Sequence, residues 1–178
     1  MMENERKSYE KLNKILLIEN VKIAIHIPSL NIIPEEFIEL KYLLEAFQIK
    51  QKTIDSTKHM LEENFTENIN NFDKNVDTLF NKHINKPLYL VAAGPPLDKN
   101  IQELAKVKDN GIILSVGRAV KSLLSAGITP DYIIITDLSE YLYDMQLKGL
   151  DIDVPIVVLS TCDKNVMKKY KGFKYIAL

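Results

Sequence analysis

The chain has a single cysteine, Cys162, and only two arginines, Arg6 and Arg118. One cysteine excludes an internal disulfide framework and argues against a thiolate zinc centre. Because arginine is the side chain that grips phosphate bidentately, its scarcity singles out Arg118, which lies among apolar runs. There is no excess of basic charge: 23 Lys+Arg against 24 Asp+Glu give a formal net charge of -1. A basic face for nucleic acid is therefore not expected. No apolar run approaches membrane-spanning length. The amino-terminal "MMENERKSYEKLNK" lacks the apolar centre of a signal peptide, so a cytoplasmic protein without a membrane partner is expected. Internal repeats and Gly/Ser-rich or proline-rich linkers are also missing. So are both common phosphate-loop patterns, G-x-x-x-x-G-K-[ST] and G-x-G-x-x-G.

What is present changes in texture near residue 86. Upstream, Tyr9, Leu12, Ile15 and Leu16 recur at helical spacing, and "VKIAIHI" over 21–27 alternates as a strand that Pro28 should stop. Pro34 suits the first turn of a helix through Leu40, Leu43, Leu44 and Phe47. From 57 to 85, Met60, Leu61, Phe65, Ile69, Phe72, Val76, Leu79 and Phe80 keep an approximate helical stripe, which predicts a long connecting helix held by packing against the weak propensity of its asparagines.

Downstream come five compact apolar runs, "PLYLVAA", "GIILSV", "YIIIT", "PIVVLS" and "FKYIAL", separated by segments of helical spacing. That alternation predicts an α/β fold: a Rossmann-like parallel sheet of about five strands, covered on both faces. Residues 1–85 would form a smaller, mainly helical amino-terminal region and 86–178 the nucleotide-binding domain. The chain stops inside the fifth run, at Leu178, with nothing following to cover that strand. The expectation is a longer natural protein, and self-association of the isolated chain through this last strand.

Ligands of open parallel sheets bind beyond the carboxyl ends of the strands. Right-handed crossovers put those ends on one edge, so the candidates are 94–97, 115–118, 136–139 and 160–162. In "VAAGPPLDKN", Gly94 lets the chain turn, and Pro95 and Pro96 fit a helix start but offer no N–H. The amides of Gly94, Leu97 and Asp98 are left as donors at a positive helix end. The loop either holds one phosphate or ribose, or only turns the chain. Ser115 and Gly117 precede Arg118, which is either a phosphate partner or a surface arginine. Asp137 is either a helix cap or a ribose acceptor or metal ligand. Ser160 and Thr161 read as caps and Cys162 as a small buried residue. His26, His59 and His83 lie outside this edge, and no general base stands out.

The segment "KPLYLVAAGPPLDKNIQELAKVKDNGIILSVGRAVKSLLSAGITPDYIIITD" resembles the central domain of the motility-associated-factor family, bacterial proteins tied to flagellin glycosylation and described as glycosyltransferases. With the upstream "MLEENFTENI", the resemblance covers about 57–178. The family signature is a strand, G-x-G-P-S-L-D, a second strand, "L…GI.PD", and a strand ending in an acid. The same domain occurs in an archaeal enzyme that pyrophosphorylates a hydroxymethylpterin, and is similar in fold to sialyltransferases that use a CMP-sugar. The resemblance implies a nucleotide site at Gly94, Pro95, Leu97, Ser115, Gly117, Arg118 and Asp137. It implies a CMP-linked nonulosonic acid as donor and flagellin as acceptor, with no cofactor required. The alternatives are a pterin pyrophosphokinase, with Mg²⁺ on Asp137, and a non-catalytic scaffold module. Two departures reduce the expected grip: the signature's first glycine is Ala92 here, and its serine is Pro96.

Overall fold

The structure, a computed structural model, describes residues 6, 7, 10–12, 14, 15, 18 and 24–178. It divides into two compact units, Met1–Lys58 and His59–Leu178.

In the first unit, residues 6, 7, 10–12, 14 and 15 are helical, in line with the spacing of Leu12 and Ile15. Tyr9 and Leu16 lie outside the described residues, as do positions 21–23 of the expected strand. The rest of that strand does not form. Residues 24–26 are irregular, and Ile27–Leu30 make one helical turn with proline in its first positions. Pro28 starts structure here rather than stopping it, because its fixed φ suits a first helical turn. A hydrogen bond between His26 Nδ1 and Ser29 Oγ (2.8 Å) closes the turn. After a short 3-10 turn at Glu35–Phe37, helix α1 runs over Ile38–Asn68.

The helix expected over 57–85 ends at Asn68. Beyond it come a two-residue strand, β1 (Lys74–Asn75), and a 3-10 turn over Val76–Leu79. Asparagine chemistry explains the break. The Asn75 side chain caps the Asp77 amide, and Asn81 and Asn85 adopt φ of 62° and 63°, a left-handed conformation that asparagine tolerates.

The second unit is an α/β fold with a parallel, Rossmann-like sheet. Its strands β2 (Leu88–Val91), β3 (Ile112–Val116), β4 (Tyr132–Ile135), β5 (Ile156–Leu159) and β6 (Lys174–Ala177) come from the five apolar runs. β1 adds a sixth, giving the order β1-β6-β5-β4-β3-β2. All pairs are parallel. The texture change at residue 86 thus falls inside a unit whose sheet already includes residues 74 and 75. β6 lies between β1 and β5, with Tyr175 and Ile176 buried, so the last run is not an exposed strand.

Strand order also decides which face is covered. β2 to β6 step steadily in one direction, so right-handed crossovers place every connecting helix on one face. These helices are α2 (Pro95–Val107), α3 (Val120–Ser125), α4 (Leu142–Gln146) and α5 (Lys164–Lys169). Their apolar residues pack on Val91, Ile113, Ile133, Ile135, Ile156, Val158 and Ile176. Gly127 ends α3 at φ 74°, in the left-handed region glycine favours. Among the described residues of the second unit no connecting helix covers the other face, contrary to the expectation from the near-continuous apolar runs. Leu79 packs there against Ile112, Tyr132 and Tyr175, while Leu88 and Leu90 stay 61% and 66% exposed.

Candidate functional site

The carboxyl ends of β2, β3 and β4 lead into the Gly94 loop, the 117–119 turn and the 136–139 loop. The carboxyl end of β5 is closed by α1. Asn64 Nδ2 donates to Leu138 O (3.3 Å) and Thr161 O (3.2 Å), and Asn68 Nδ2 to Ser160 O (3.0 Å) and Cys162 O (2.8 Å). Glu63 pairs with Lys164 and Glu67 with Lys168, tying the same helix end to α5. Both asparagines are buried, so 160–162 belong to a packed junction and drop out of the open edge. Asp163, fully buried, completes this junction. Its amide donates to Asp137 O (3.0 Å), its carboxylate accepts from the Asn165 amide (2.9 Å), and it caps α5. Composition gave no hint of Asp163. The i, i+4 spacing of Asn64 and Asn68 was a usable signal for the other two, because it places two helix-poor amides on one helix face.

Burial pushes the Cys162 thiol up to about 12, and the Asp163 charge adds to the effect. The thiolate is the reactive form, so Cys162 should label roughly a thousandfold more slowly in the folded chain than in denaturant at pH 8. Immediate stoichiometric labelling of the native chain by a disulfide reagent would show that this junction is open.

At the open edge, Gly94 has φ 167° and ψ 166°, extended backbone that any residue adopts. A Cβ built on it would meet only Pro96 Cδ, at 3.6 Å. The tight turn expected of Gly94 is therefore not what the fold uses it for; the space above it is open to solvent or ligand. Gly117 differs: a Cβ there would lie 2.1 Å from Gln146 Oε1, so the small residue admits the buried side chain of α4. Pro95 and Pro96 occupy the first helical positions of α2. The Leu97 amide donates to Gly94 O (2.9 Å), and its side chain packs with Val91 and Ile113. Of the amides a helix start leaves unsatisfied, that of Gly94 is what the loop can still offer. Ser115 is fully buried and its Oγ donates to Val116 O (3.0 Å), which removes it as a ligand contact.

Arg118 is exposed, and among the described residues no hydrogen bond or ion pair holds its guanidinium. Asp137 Oδ1 accepts from the Ser139 amide (2.9 Å) and hydroxyl (2.7 Å). The Ser139 hydroxyl and amide hold the Asp137 carboxyl below the usual carboxylate range, and Arg118 adds a smaller pull. Asp137 is therefore ionised at neutral pH, and its charge and that of Arg118 act on one another across the ends of neighbouring strands. Among the described residues, no three His, Cys, Asp or Glu side chains converge on a metal position. A lone carboxylate is still compatible with Mg²⁺, which takes one or two protein carboxylates and fills its shell with water and substrate phosphate. None of the described helices is long and apolar enough to cross a membrane.

This geometry can be set beside known proteins. The structure of the MAf glycosyltransferase from Magnetospirillum magneticum AMB-1 is similar at 21% identity and a TM-score of 0.38, over 52% of this chain and 16% of that one. This chain thus aligns with a small part of that protein's length. No curated protein matches the chain. The family model described as 6-hydroxymethylpterin diphosphokinase MptE-like matches residues 63–178, which takes in α1's last turns, all six strands and the Gly94, Arg118 and Asp137 loops. The chain belongs to this MptE-like family.

Proposed function

We propose that the edge formed by the Gly94 loop, Arg118 and Asp137 binds the phosphate and ribose of a nucleotide-activated sugar, and that the protein is glycosyltransferase-like. The observation that carries this reading is the unengaged Arg118 guanidinium beside an ionised Asp137, at the carboxyl ends of adjacent parallel strands. Arg118 would neutralise the leaving phosphate as the glycosidic bond breaks, and Asp137 would accept from a ribose hydroxyl. The glycine at 94, which neither backbone nor packing demands, leaves room for a ligand to approach the main chain. One guanidinium and one helix start match a single phosphate, as in a CMP-linked sugar, better than a triphosphate. The resemblance to flagellin-glycosylating proteins supports a CMP-linked nonulosonic acid as donor and flagellin as acceptor.

The family match supports a second reading, diphosphate transfer to a pterin. There Asp137 would hold Mg²⁺, and the metal would supply the positive charge that a triphosphate needs and that this edge lacks.

Calorimetric titration with CMP and with ATP plus Mg²⁺ separates the two: CMP binding supports the first, metal-dependent ATP binding the second, and no binding of either rejects both. Under the first reading, Arg118→Ala weakens CMP binding roughly tenfold, the lower end for a solvent-exposed charged hydrogen bond, and flattens its salt dependence. Thermal stability should change little, since Arg118 is exposed and holds no hydrogen bond or ion pair among the described residues. Asp137→Asn keeps the turn, because asparagine caps about as well, while weakening metal-dependent binding under the second reading.

A further inference from the structure

We propose that Asp163 is a positioning residue for Asp137, holding from inside the packed junction the loop that carries the Asp137 carboxylate. The inference rests on the nucleotide reading given above. Asp163 is fully buried, so it acts through its neighbours rather than by touching a ligand. Its amide donates to Asp137 O (3.0 Å). Its two carboxylate oxygens divide their bonds between two helices. Oδ1 accepts from the Asn165 amide (2.9 Å) and from Asn165 Nδ2 (3.0 Å), at the start of α5. Oδ2 accepts from the Tyr143 amide (3.3 Å), in the first turn of α4. One residue thus fastens the chain at Asp137 and again at Tyr143, on either side of the loop between them.

Capping α5 alone does not call for a carboxylate, because asparagine caps a helix about as well. The difference lies at Tyr143. A carboxylate offers acceptors on both sides, whereas an asparagine that keeps its oxygen on Asn165 turns an NH₂ group towards another N–H. A buried carboxylate is costly unless hydrogen bonds satisfy it. Among the described residues, only N–H groups of Asn165 and Tyr143 meet its oxygens. The aspartate therefore makes a link to α4 that a neutral cap would not make.

The rest of the loop is fastened to the same junction. Asn64 Nδ2 donates to Leu138 O (3.3 Å) and Asn165 Nδ2 to Glu140 O (3.2 Å), so the carbonyls of 137, 138 and 140 are all engaged. With its backbone held, the exposed Asp137 side chain is oriented by its bonds from Ser139. A ligand that meets it then loses little to the ordering of the loop.

The test combines calorimetry with CMP and amide hydrogen exchange of the nucleotide-free chain. Asp163→Asn should weaken CMP binding about tenfold, the effect of one lost hydrogen bond. It should also speed exchange of the Ser139 and Tyr143 amides, while that of Asn165 stays capped and slow. Ile156→Val, in the buried core at the amino end of β5, lowers stability without touching the loop and should move neither CMP binding nor Ser139. If Asp163→Asn does not fold, Asn165→Ala takes its place. It removes the Nδ2 bonds to Glu140 O and Asp163 and leaves the backbone bonds, so it should shift both readouts the same way by a smaller factor. Unchanged Ser139 exchange or unchanged CMP binding in the Asp163 variant overturns the role, as does an equal loss of binding in Ile156→Val. A wild type that binds no CMP, with Ser139 still responding to Asp163→Asn, sinks the nucleotide reading and leaves the brace on Asp137 standing.

Discussion

Asn68→Ala is expected to destabilise the second unit by about 2–4 kcal/mol, the largest stability change anticipated for one side chain here. Asn68 is fully buried, and its Nδ2 serves the carbonyls of both Ser160 and Cys162. Removing it leaves two buried acceptors without donors, each costing about 1–3 kcal/mol. A small relief offsets this, because Asn68 Oδ1 itself has no partner. Asn64→Ala should cost less, since its bonds are longer, at 3.2 to 3.4 Å. Urea unfolding measures both. A loss below about 0.5 kcal/mol for Asn68→Ala, the range of ordinary surface substitutions, would mean that α1 does not pin the β5 loop.

Pro96→Ser is expected to tighten nucleotide binding about ten- to hundredfold. Pro96 is exposed and sits in the first turn of α2, where a residue's amide has no partner within the helix. Serine at this position restores that amide and adds a hydroxyl, both at the positive end of the helix. A hydrogen bond to a charged phosphate contributes about 1.5–3 kcal/mol, which sets the factor. Pro96→Ala restores the amide alone and should fall between the two. The gain matters because the Leu97 amide is already engaged by Gly94 O. Calorimetry with CMP on the three proteins decides it: equal or weaker binding by the serine variant would show that the loop only turns the chain.

The five main strands and the parallel sheet were legible because their apolar runs are compact and the intervening helices keep a 3.6-residue period. β1 was not, since Lys74 and Asn75 carry no strand signal and join the sheet through pairing with Tyr175 and Ile176. The false extension of the helix past Asn68 came from real apolar spacing. Val76 and Leu79 do lie on one side, but of a 3-10 turn against the sheet, and asparagines at 75, 81 and 85 set the backbone on either side of it. Coverage of both sheet faces failed for a topological reason: strand composition does not reveal strand order, and a monotonic order puts every helix on one side. At the site, Arg118 and Asp137 do lie just beyond the ends of β3 and β4, where position in the sequence put them. It misled for Ser115, which alternation along β3 turns into the core, and for 160–162, which a helix from far upstream covers. Nothing in the local sequence there announces Asn64 or Asn68 as its partners.

The Gly94, Arg118 and Asp137 edge is proposed as a nucleotide site. Amide chemical shifts followed during titration with CMP, and separately with ATP plus Mg²⁺, test it most directly. Saturable shifts centred on Gly94, Arg118 and Asp137–Ser139 are expected, with residues 160–162 unmoved behind the asparagine pins. Shifts centred elsewhere, or none at millimolar nucleotide, would contradict it.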